Sequence, residues 1–378
     1  MKNITKNRLR KAGALAVAMA ACGSANAGVT VAGPGESYLT LSLWARSSYS
    51  SVDDAAPDGS RSSDFTLDSV RIITSGKITK SIGGMINFEK KSDDSMHVID
   101  AVAQFELADG INLWFGRMLP PTDRANLAGP YFANVWEYPL VSQYPSRTTG
   151  RDDGALLWGN VAGGKLLYAV GAYQGKNRAA TLSNDSDELL YAGRLAYSFL
   201  DPELGYYGTN SYFGQKEVFT VGAAYQFQKD GVGTALARGD YTAWNIDALF
   251  ETKLAGGGVL TAEGAYYDYD TDGVADASTA QCATAQLSTN CGGAAAGDAY
   301  LATLAYLIPT RIGIGQFQPY TRYMKFDADA GGETKQWDFG VSYIMSGHSA
   351  RITAVYSDVD NSTAADSDKF IVGVQLMY

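Results

Sequence analysis

The sequence predicts an all-β fold: a transmembrane antiparallel β-barrel of about 16 strands, with a long third external loop folded into the lumen. Three observations predict it. From residue 37 onward, apolar residues alternate with small or polar ones at period two over stretches of about ten residues, and almost no stretch has helical period. The connections between stretches are long and short by turns, as they are when loops elaborate on one side of a membrane and turns stay tight on the other. The last stretch sets Phe370, Val372, Val374, Leu376 and Tyr378 on one apolar face and stops on an aromatic residue.

Composition closes off other classes. With 46% hydrophobic, 12% aromatic and only 19% charged residues, the chain carries enough apolar surface to offset the entropy of ordering it, which excludes disorder. After residue 27 no uncharged apolar run approaches the roughly 18–20 residues of a spanning helix. The mean hydropathy of -0.13 is what a wall with one lipid-facing and one wet face averages to.

The first element is an export signal. Residues 1–27 combine a basic start (Lys2, Lys6, Arg8, Arg10, Lys11), an apolar stretch from Ala12 to Cys22 and the small-residue site Ala25-Asn26-Ala27, so cleavage is expected before Gly28. Met19-Ala20-Ala21-Cys22 fits a lipoprotein site less well. The expected organisation is a signal peptide over 1–27 and one barrel domain over 28–378. Cleavage removes five positive charges and no acids, taking the formal net charge from -10 to -15. A polyanion of that kind makes a poor nucleic-acid binder.

The expected strands are 37–47, 65–78, 82–91, 97–107, 111–118, 154–161, 165–174, 188–199, 217–228, 240–253, 258–267, 298–308, 312–326, 334–345, 349–357 and 369–378. In the ninth, Phe219, Val221, Ala223, Tyr225 and Phe227 alternate with Thr220, Gly222, Ala224 and Gln226; in the fourteenth, Trp337, Phe339, Val341 and Tyr343 alternate with Asp338, Gly340 and Ser342. The odd connections are mostly long and polar: 48–64, 119–153, 175–187, 229–239, 268–297 and 358–368. Even ones are tight, such as Ala108-Asp109-Gly110, Gly256-Gly257 and Ser346-Gly347-His348, and 200–216 is the exception. Trp44, Trp158, Tyr197, Phe199, Phe250, Tyr266, Tyr300 and Tyr306 are candidates for aromatic girdles at the two membrane interfaces. The terminal apolar face is similar to the signal by which barrel-assembly machinery recognises outer-membrane proteins. Lipid offers no hydrogen-bonding partners, so such a sheet must close on itself, and sixteen tilted strands enclose more space than their side chains fill. The expected product is a water-filled channel.

Connection 119–153 is long enough to be functional, and its prolines and aromatics argue for an ordered insert that narrows the channel. Its candidate constriction residues, with Arg117 just before it, are Asp123, Arg124, Tyr131, Glu137, Tyr138, Tyr144, Arg147, Arg151, Asp152 and Asp153. An outward-lying loop at a subunit contact is the alternative. The run Asn112-Leu113-Trp114-Phe115-Gly116-Arg117 leading into Pro120-Pro121, together with Gly205-Tyr206-Tyr207 and Tyr212-Phe213-Gly214-Gln215-Lys216-Glu217, resembles the phosphate-selective (O/P-type) porin family. The resemblance implies a homotrimeric sixteen-strand channel for small solutes, and it accounts for the long even connection at 200–216. Family members that select anions carry dense pore arginines and lysines. Here Arg117, Arg124, Arg147 and Arg151 stand beside Asp123, Glu137, Asp152 and Asp153, which leaves phosphate selectivity open.

With the fatty alternation facing lipid, the opposite face carries Arg46, Arg71, Arg194, Arg322 and Arg351 together with Asp100, Asp247, Glu251, Glu263 and Asp338. Charged rows of both signs favour small polar or charged solutes over apolar ones. Cys282 and Cys291 are most simply a local disulfide in an exported protein, the zinc alternative having no nearby His. Asp268-Tyr269-Asp270-Thr271-Asp272-Gly273 has the carboxylate spacing of a calcium loop, but its twelfth position is Thr279, where a bidentate acid is expected. Expected partners are small hydrophilic solutes or ions, outer-membrane lipid and lipopolysaccharide; no cofactor, metal or nucleic acid is expected. The rival classes are a surface receptor or adhesin on a blocked barrel and an outer-membrane hydrolase. The second would need a histidine base, and the chain has only His97 and His348.

Overall fold

Two-residue periodicity becomes two faces in the computed structural model, which describes residues 28–92, 94–143, 150–175, 188–234, 237–274 and 295–378. The elements run β1 (Val29–Ala32), β2 (Tyr38–Val52), β3 (Ser62–Lys77), β4 (Ile82–Lys90), β5 (His97–Ala108), β6 (Ile111–Met118), α1 (Arg124–Phe132), β7 (Asp152–Val161), β8 (Leu166–Tyr173), β9 (Leu190–Ser198), β10 (Val218–Thr234), β11 (Ala237–Lys253), β12 (Val259–Asp270), β13 (Gly297–Leu307), β14 (Arg311–Ile312), β15 (Gly315–Ala328), β16 (Glu333–Ser346), β17 (Ala350–Asn361) and β18 (Ser367–Met377). Thr220, Ala224 and Gln226 of β10 are buried, whereas Phe219, Ala223 and Tyr225 between them are exposed. The same alternation recurs around the sheet. Leu43, Leu195, Ile246, Leu304, Phe339 and Leu376 form part of an outer apolar surface that only hydrocarbon would cover.

All neighbouring wall strands pair antiparallel, and β18 returns to β2, with Phe370 opposite Ser51 and Met377 opposite Trp44. Leu43 and Tyr378 seal the joint by donating to each other's carbonyls at 2.7 Å in both directions. The sixteen wall strands, β2–β13 and β15–β18, therefore leave no open edge. β1 is an addition: it pairs Val29 with Leu41 and Ala32 with Tyr38, covering the part of β2 that extends beyond the end of the chain. β14 is a two-residue hairpin arm against the start of β15.

The sequence-predicted strands appear in order, but β2 and β3 shorten the expected loop 48–64 and β17 and β18 the loop 358–368, and three further differences stand out. β10 and β11 run through most of the expected loop 229–239, because Asp230 (φ 51°) and Gly231 make a bulge that absorbs the turn-like residues; the register resumes with Val232 opposite Gly239. Connection 119–153 contains a short helix. Asp123 caps it by accepting from the Asn126 N–H at 3.2 Å, and Gly129 (φ 62°) followed by Pro130 breaks it after one turn, which hid it from a periodicity reading. Trp44 and Trp158 are not girdle residues: Trp44 packs on Tyr131 and Phe132, and Trp158 is buried against Trp114 and Tyr206.

The outer aromatics form two belts. Phe199, Phe219 and Phe250 touch in sequence at one end of the strands, and Trp244 with Tyr266, then Tyr300, Tyr323 and Trp337, do so toward the other. Phe219 and Tyr225 share β10, as Phe250 and Trp244 share β11, so the belts stand roughly 20 Å apart along a strand. Ile246 faces outward between them. Ile246→Arg is expected to cost about 2–4 kcal/mol of folding free energy in lipid vesicles, read from guanidinium titration; a neutral result would mean that this face does not meet hydrocarbon.

Candidate functional site

The inner face is polar because the strand period places every second side chain there. Arg46, Arg71, Asp100, Arg194, Asp247, Glu251, Glu263, Arg322, Asp338 and Arg351 all lie on it, each buried. Several are paired by register. Arg71 stands directly opposite Glu89 and donates to it at 2.8 Å; Arg322 stands opposite Asp338 and donates at 2.6 Å. Arg194 of β9 and Asp247 of β11 reach each other across β10 in a two-point contact of 2.6 and 2.8 Å. Gly222 makes that reach possible, since a Cβ there would lie 2.2 Å from the Arg194 guanidinium. Arg46 and Arg351 make no ion pair among the described residues.

Residues 119–143, called the insert below, have no ladder partners, so their carbonyls must find donors elsewhere. The inner wall supplies them. Gln226 donates to the Pro121 carbonyl (3.1 Å), Arg194 to Thr122 (3.0 Å), Arg351 to Ala133 (2.6 Å) and Pro130 (3.3 Å), Gln375 to Tyr131 (2.9 Å), Arg322 to Glu137 (3.0 Å) and Tyr269 to Val141 (2.8 Å). Arg46 donates to the Trp136 carbonyl, and its guanidinium lies 3.9 Å from the Trp136 ring centre. These donors sit on strands from opposite sides of the ring, β2 and β10 among them. Gly373 of β18 leaves room for the Trp136 ring, which a Cβ would meet at 2.3 Å. Gly373→Val is therefore expected to loosen the insert by about 1–3 kcal/mol, seen as faster amide hydrogen exchange over 119–143. Unchanged exchange would show that Trp136 does not hold it.

The candidate constriction residues separate into groups. Asp123 accepts from Ser142 (3.2 Å) and Tyr267 (2.6 Å) in addition to the helix N–H, and Tyr138 bonds Ser142 at 2.6 Å. Tyr131 donates to Ser69 at 3.0 Å, and the Glu137 carboxylate accepts from Lys369. Arg151 donates to Asp100 at 3.2 Å, and Asp152 accepts from the Gly175 N–H at 2.6 Å. Arg117 and Asp153 are different: they pair with each other at 2.7 Å, partly exposed, across the ends of β6 and β7. Adjacent strand residues face opposite ways, so Asp153 points away from the face that holds Asp152. Tyr144, Arg147, Cys282, Cys291 and Thr279 lie outside the described residues, while Asp268 and Asp270 belong to β12.

A second irregular segment, 199–217, meets the insert. Arg124 donates to Glu203 at 2.9 and 2.7 Å and to the Thr209 carbonyl at 2.9 Å. Tyr206 donates to the Leu119 carbonyl (2.8 Å), the Asn210 N–H to Phe132 (3.0 Å) and the Asn134 amide to Asn210 (2.6 Å). Glu203 and Asn210 were not legible as functional residues; the one signal was the abnormal length of their connection. Burial pushes the Glu203 carboxyl up, but the Arg124 guanidinium outweighs this and holds it down, at about 2 against an ordinary 4.5. A carboxyl lowered on folding stabilises the fold fully above its ordinary value and ceases to do so as pH falls through the lowered one. The melting-temperature difference between wild type and Glu203→Gln should thus persist from neutral pH to about 4.5 and shrink toward pH 2. A pH-independent difference would assign it to something other than this pair.

Comparison with known proteins agrees with this architecture. A family profile described as phosphate-selective porin O and P matches residues 40–378. No match was found among curated proteins. Among solved structures, the chain is similar to an anion-selective porin from Comamonas acidovorans at 12% identity, over 91% of this chain and 100% of that one, with a TM-score of 0.60. It is also similar to OmpT, an outer-membrane protein of Vibrio cholerae, at 12% identity over 92% and 99% with a TM-score of 0.57. The Salmonella typhi OmpF complex with daunomycin matches at 16% identity over 90% and 98%, with a TM-score of 0.54. A closed sixteen-strand wall, apolar outside and charged within, joined to a family match over nearly the whole chain, places this protein in the phosphate-selective porin O and P family, as a channel of the bacterial outer membrane.

Proposed function

We propose that the channel passes small hydrophilic solutes by diffusion with a weak preference for anions, and that the insert lies in the lumen as its constriction. The observation that carries the reading is the charge balance of the inner wall. Arg71, Arg194 and Arg322 each face a carboxylate at 2.8 Å or less, whereas Arg46 and Arg351 make no ion pair among the described residues and donate to carbonyls of the insert; Asp68, bonded to Ser48 at 3.0 Å, offsets only part of the Arg46 charge. Carbonyls stabilise a guanidinium without cancelling its charge, and a low-dielectric wall projects that charge into the water it borders. The excess positive charge therefore gathers on the side formed by β2, β17 and β18. Solutes of the class named by the family, small oxyanions, fit that field.

The wider reading includes residues 1–27 as a cleaved export signal, a homotrimer, and contact of the acidic rim with lipopolysaccharide through divalent ions. It does not include hydrolysis. His97 Nε2 lies 3.0 Å from Asp94 and 3.2 Å from Ser95, so both contacts fall on one ring nitrogen; a base oriented by a carboxylate needs one partner on each nitrogen. His348 is enclosed, with its Nε2 on the Ser211 carbonyl at 2.9 Å and Thr209 at 3.1 Å.

Planar-bilayer recording tests the proposal. Wild-type protein should give stable ohmic steps, and a salt gradient should give a small reversal potential of the sign expected for anions. Phosphate and sulfate should compete with chloride. Arg46→Gln with Arg351→Gln should move that potential toward cations. No movement would show that these two groups lie outside the conduction path, and an absence of steps would favour a receptor built on a blocked barrel.

A further inference from the structure

The 199–217 connection has the attachments of a movable element. Its ends are joined beyond the wall: the Phe199 N–H donates to Phe219 at 2.7 Å, the Asp201 N–H to Glu217 at 2.9 Å and Lys216 to the Pro202 carbonyl at 2.7 Å. These bonds continue the β9–β10 pairing as a neck, so the residues between can swing without opening a wall ladder. Beyond the neck the segment is held chiefly by side chains. Glu251 of β11 accepts from Ser211 Oγ (2.9 Å) and from the N–H groups of Tyr212 (3.0 Å) and Gly214 (2.7 Å). Glu263 of β12 accepts from the Asn210 amide at 2.6 Å, and Arg124 of the insert grips Glu203.

A further observation is that contacts hold the segment in place against its own backbone preference. Phe213 is held at φ 51°, a conformation disfavoured for a bulky residue, with its ring against His348 at 4.8 Å between centres; such strain persists only where surrounding contacts impose it. A small open-sided pocket lies between segment, wall and insert, bordered by Lys165, Ser198 and Thr220 of the wall side, by Glu203 and Tyr207 of the segment and by Arg124 of the insert.

We propose that residues 199–217 are a hinged gate at the short-turn end of the channel, turning on the 199–219 neck and latched by Arg124–Glu203 and the Glu251 cradle. This rests on the channel reading above. With the latch closed the segment abuts the insert and narrows the path in series with it; released, it swings on the neck and widens that path. The carboxylates serve as latches because each grips several donors at once, and their neutral amide counterparts keep the shape while losing the charge that strengthens those bonds.

The test uses full-length mature protein in planar bilayers. Glu203→Gln with Glu251→Gln should raise the fraction of time spent in the fully open level at least threefold over wild type. Independently, Thr209→Cys with His348→Cys, whose replaced side chains touch at 3.1 Å, is bridged by a short bis-methanethiosulfonate reagent in a background with Cys282 and Cys291 changed to Ser. Bridging, verified by mass spectrometry, should lower open-level conductance at least threefold, and dithiothreitol should restore it. Equal conductance of bridged and reduced protein, or an amide double variant that folds and gates like wild type, overturns the gate while leaving the channel intact. If the amide variant does not fold, the bridged protein decides alone; if the bridge does not form, the amide variant decides. Silence from wild type and every variant overturns the channel reading itself.

Discussion

Every backbone polar group that faces hydrocarbon must be bonded within the protein, and this requirement shapes the whole molecule. It forces the sheet to close, which is why β18 meets β2 and why Leu43 and Tyr378 exchange hydrogen bonds at the last available position. It also explains β1. Where β18 stops, the remaining edge of β2 would be bare, and four residues from Val29 to Ala32 cover it. Once the ring is closed, the pleat assigns each residue a side without further choice. Residues such as Leu43, Ile246 and Phe339 go to lipid, and the ten charged residues from Arg46 to Arg351 go inward.

The same accounting governs the irregular chain that side chains of the wall hold. A strand pays for its carbonyls with a neighbour's N–H, but the insert has no neighbour strand, so side chains substitute. Arginine suits this task because one guanidinium carries five donors in a rigid fork. Arg322 meets Asp338 with Nε and Nη2 and the Glu137 carbonyl with Nη1; Arg194 divides itself between Asp247 and Thr122, and Arg124 between Glu203 and Thr209. A carboxylate fixes the arginine, and the arginine fixes the loop. Lysine, a point charge on a flexible stem, would secure one of these partners and leave the other.

How much of this could be read from the sequence follows from the range of each interaction. Strand period is a local property, and it sufficed to put all ten wall charges on one face. It failed where local signals mislead: Lys229-Asp230-Gly231 reads as a turn and is a bulge within two long strands, and Gly129-Pro130 conceals the helix that Asp123 caps. Trp44 and Trp158 show another limit, because an aromatic residue near a strand end suits an interface or an inward-packed insert equally well. Arg117 and Asp153 were grouped with the insert by adjacency in sequence, although alternation sends Asp153 and Asp152 to opposite faces. The contacts that build the site, Arg124 with Glu203 or Asn210 with Glu263, join residues far apart in the chain and leave no local trace.

Selectivity in such a lumen follows the charges left uncompensated rather than the total. The formal excess of acids in this chain resides largely in rim segments such as Asp53-Asp54 and Asp358 to Asp368, which stand in open water where salt screens them over about 8–10 Å. Within the wall, a paired arginine and carboxylate present a dipole whose field falls off quickly. Arg351 is held by neutral carbonyls and Arg46 by a carbonyl and the face of Trp136, with Asp68 offsetting part of the Arg46 charge, so their field falls off more slowly than that of a close pair. A polyanionic composition is compatible with the weak anion preference proposed above because the two are set at different depths of the same barrel.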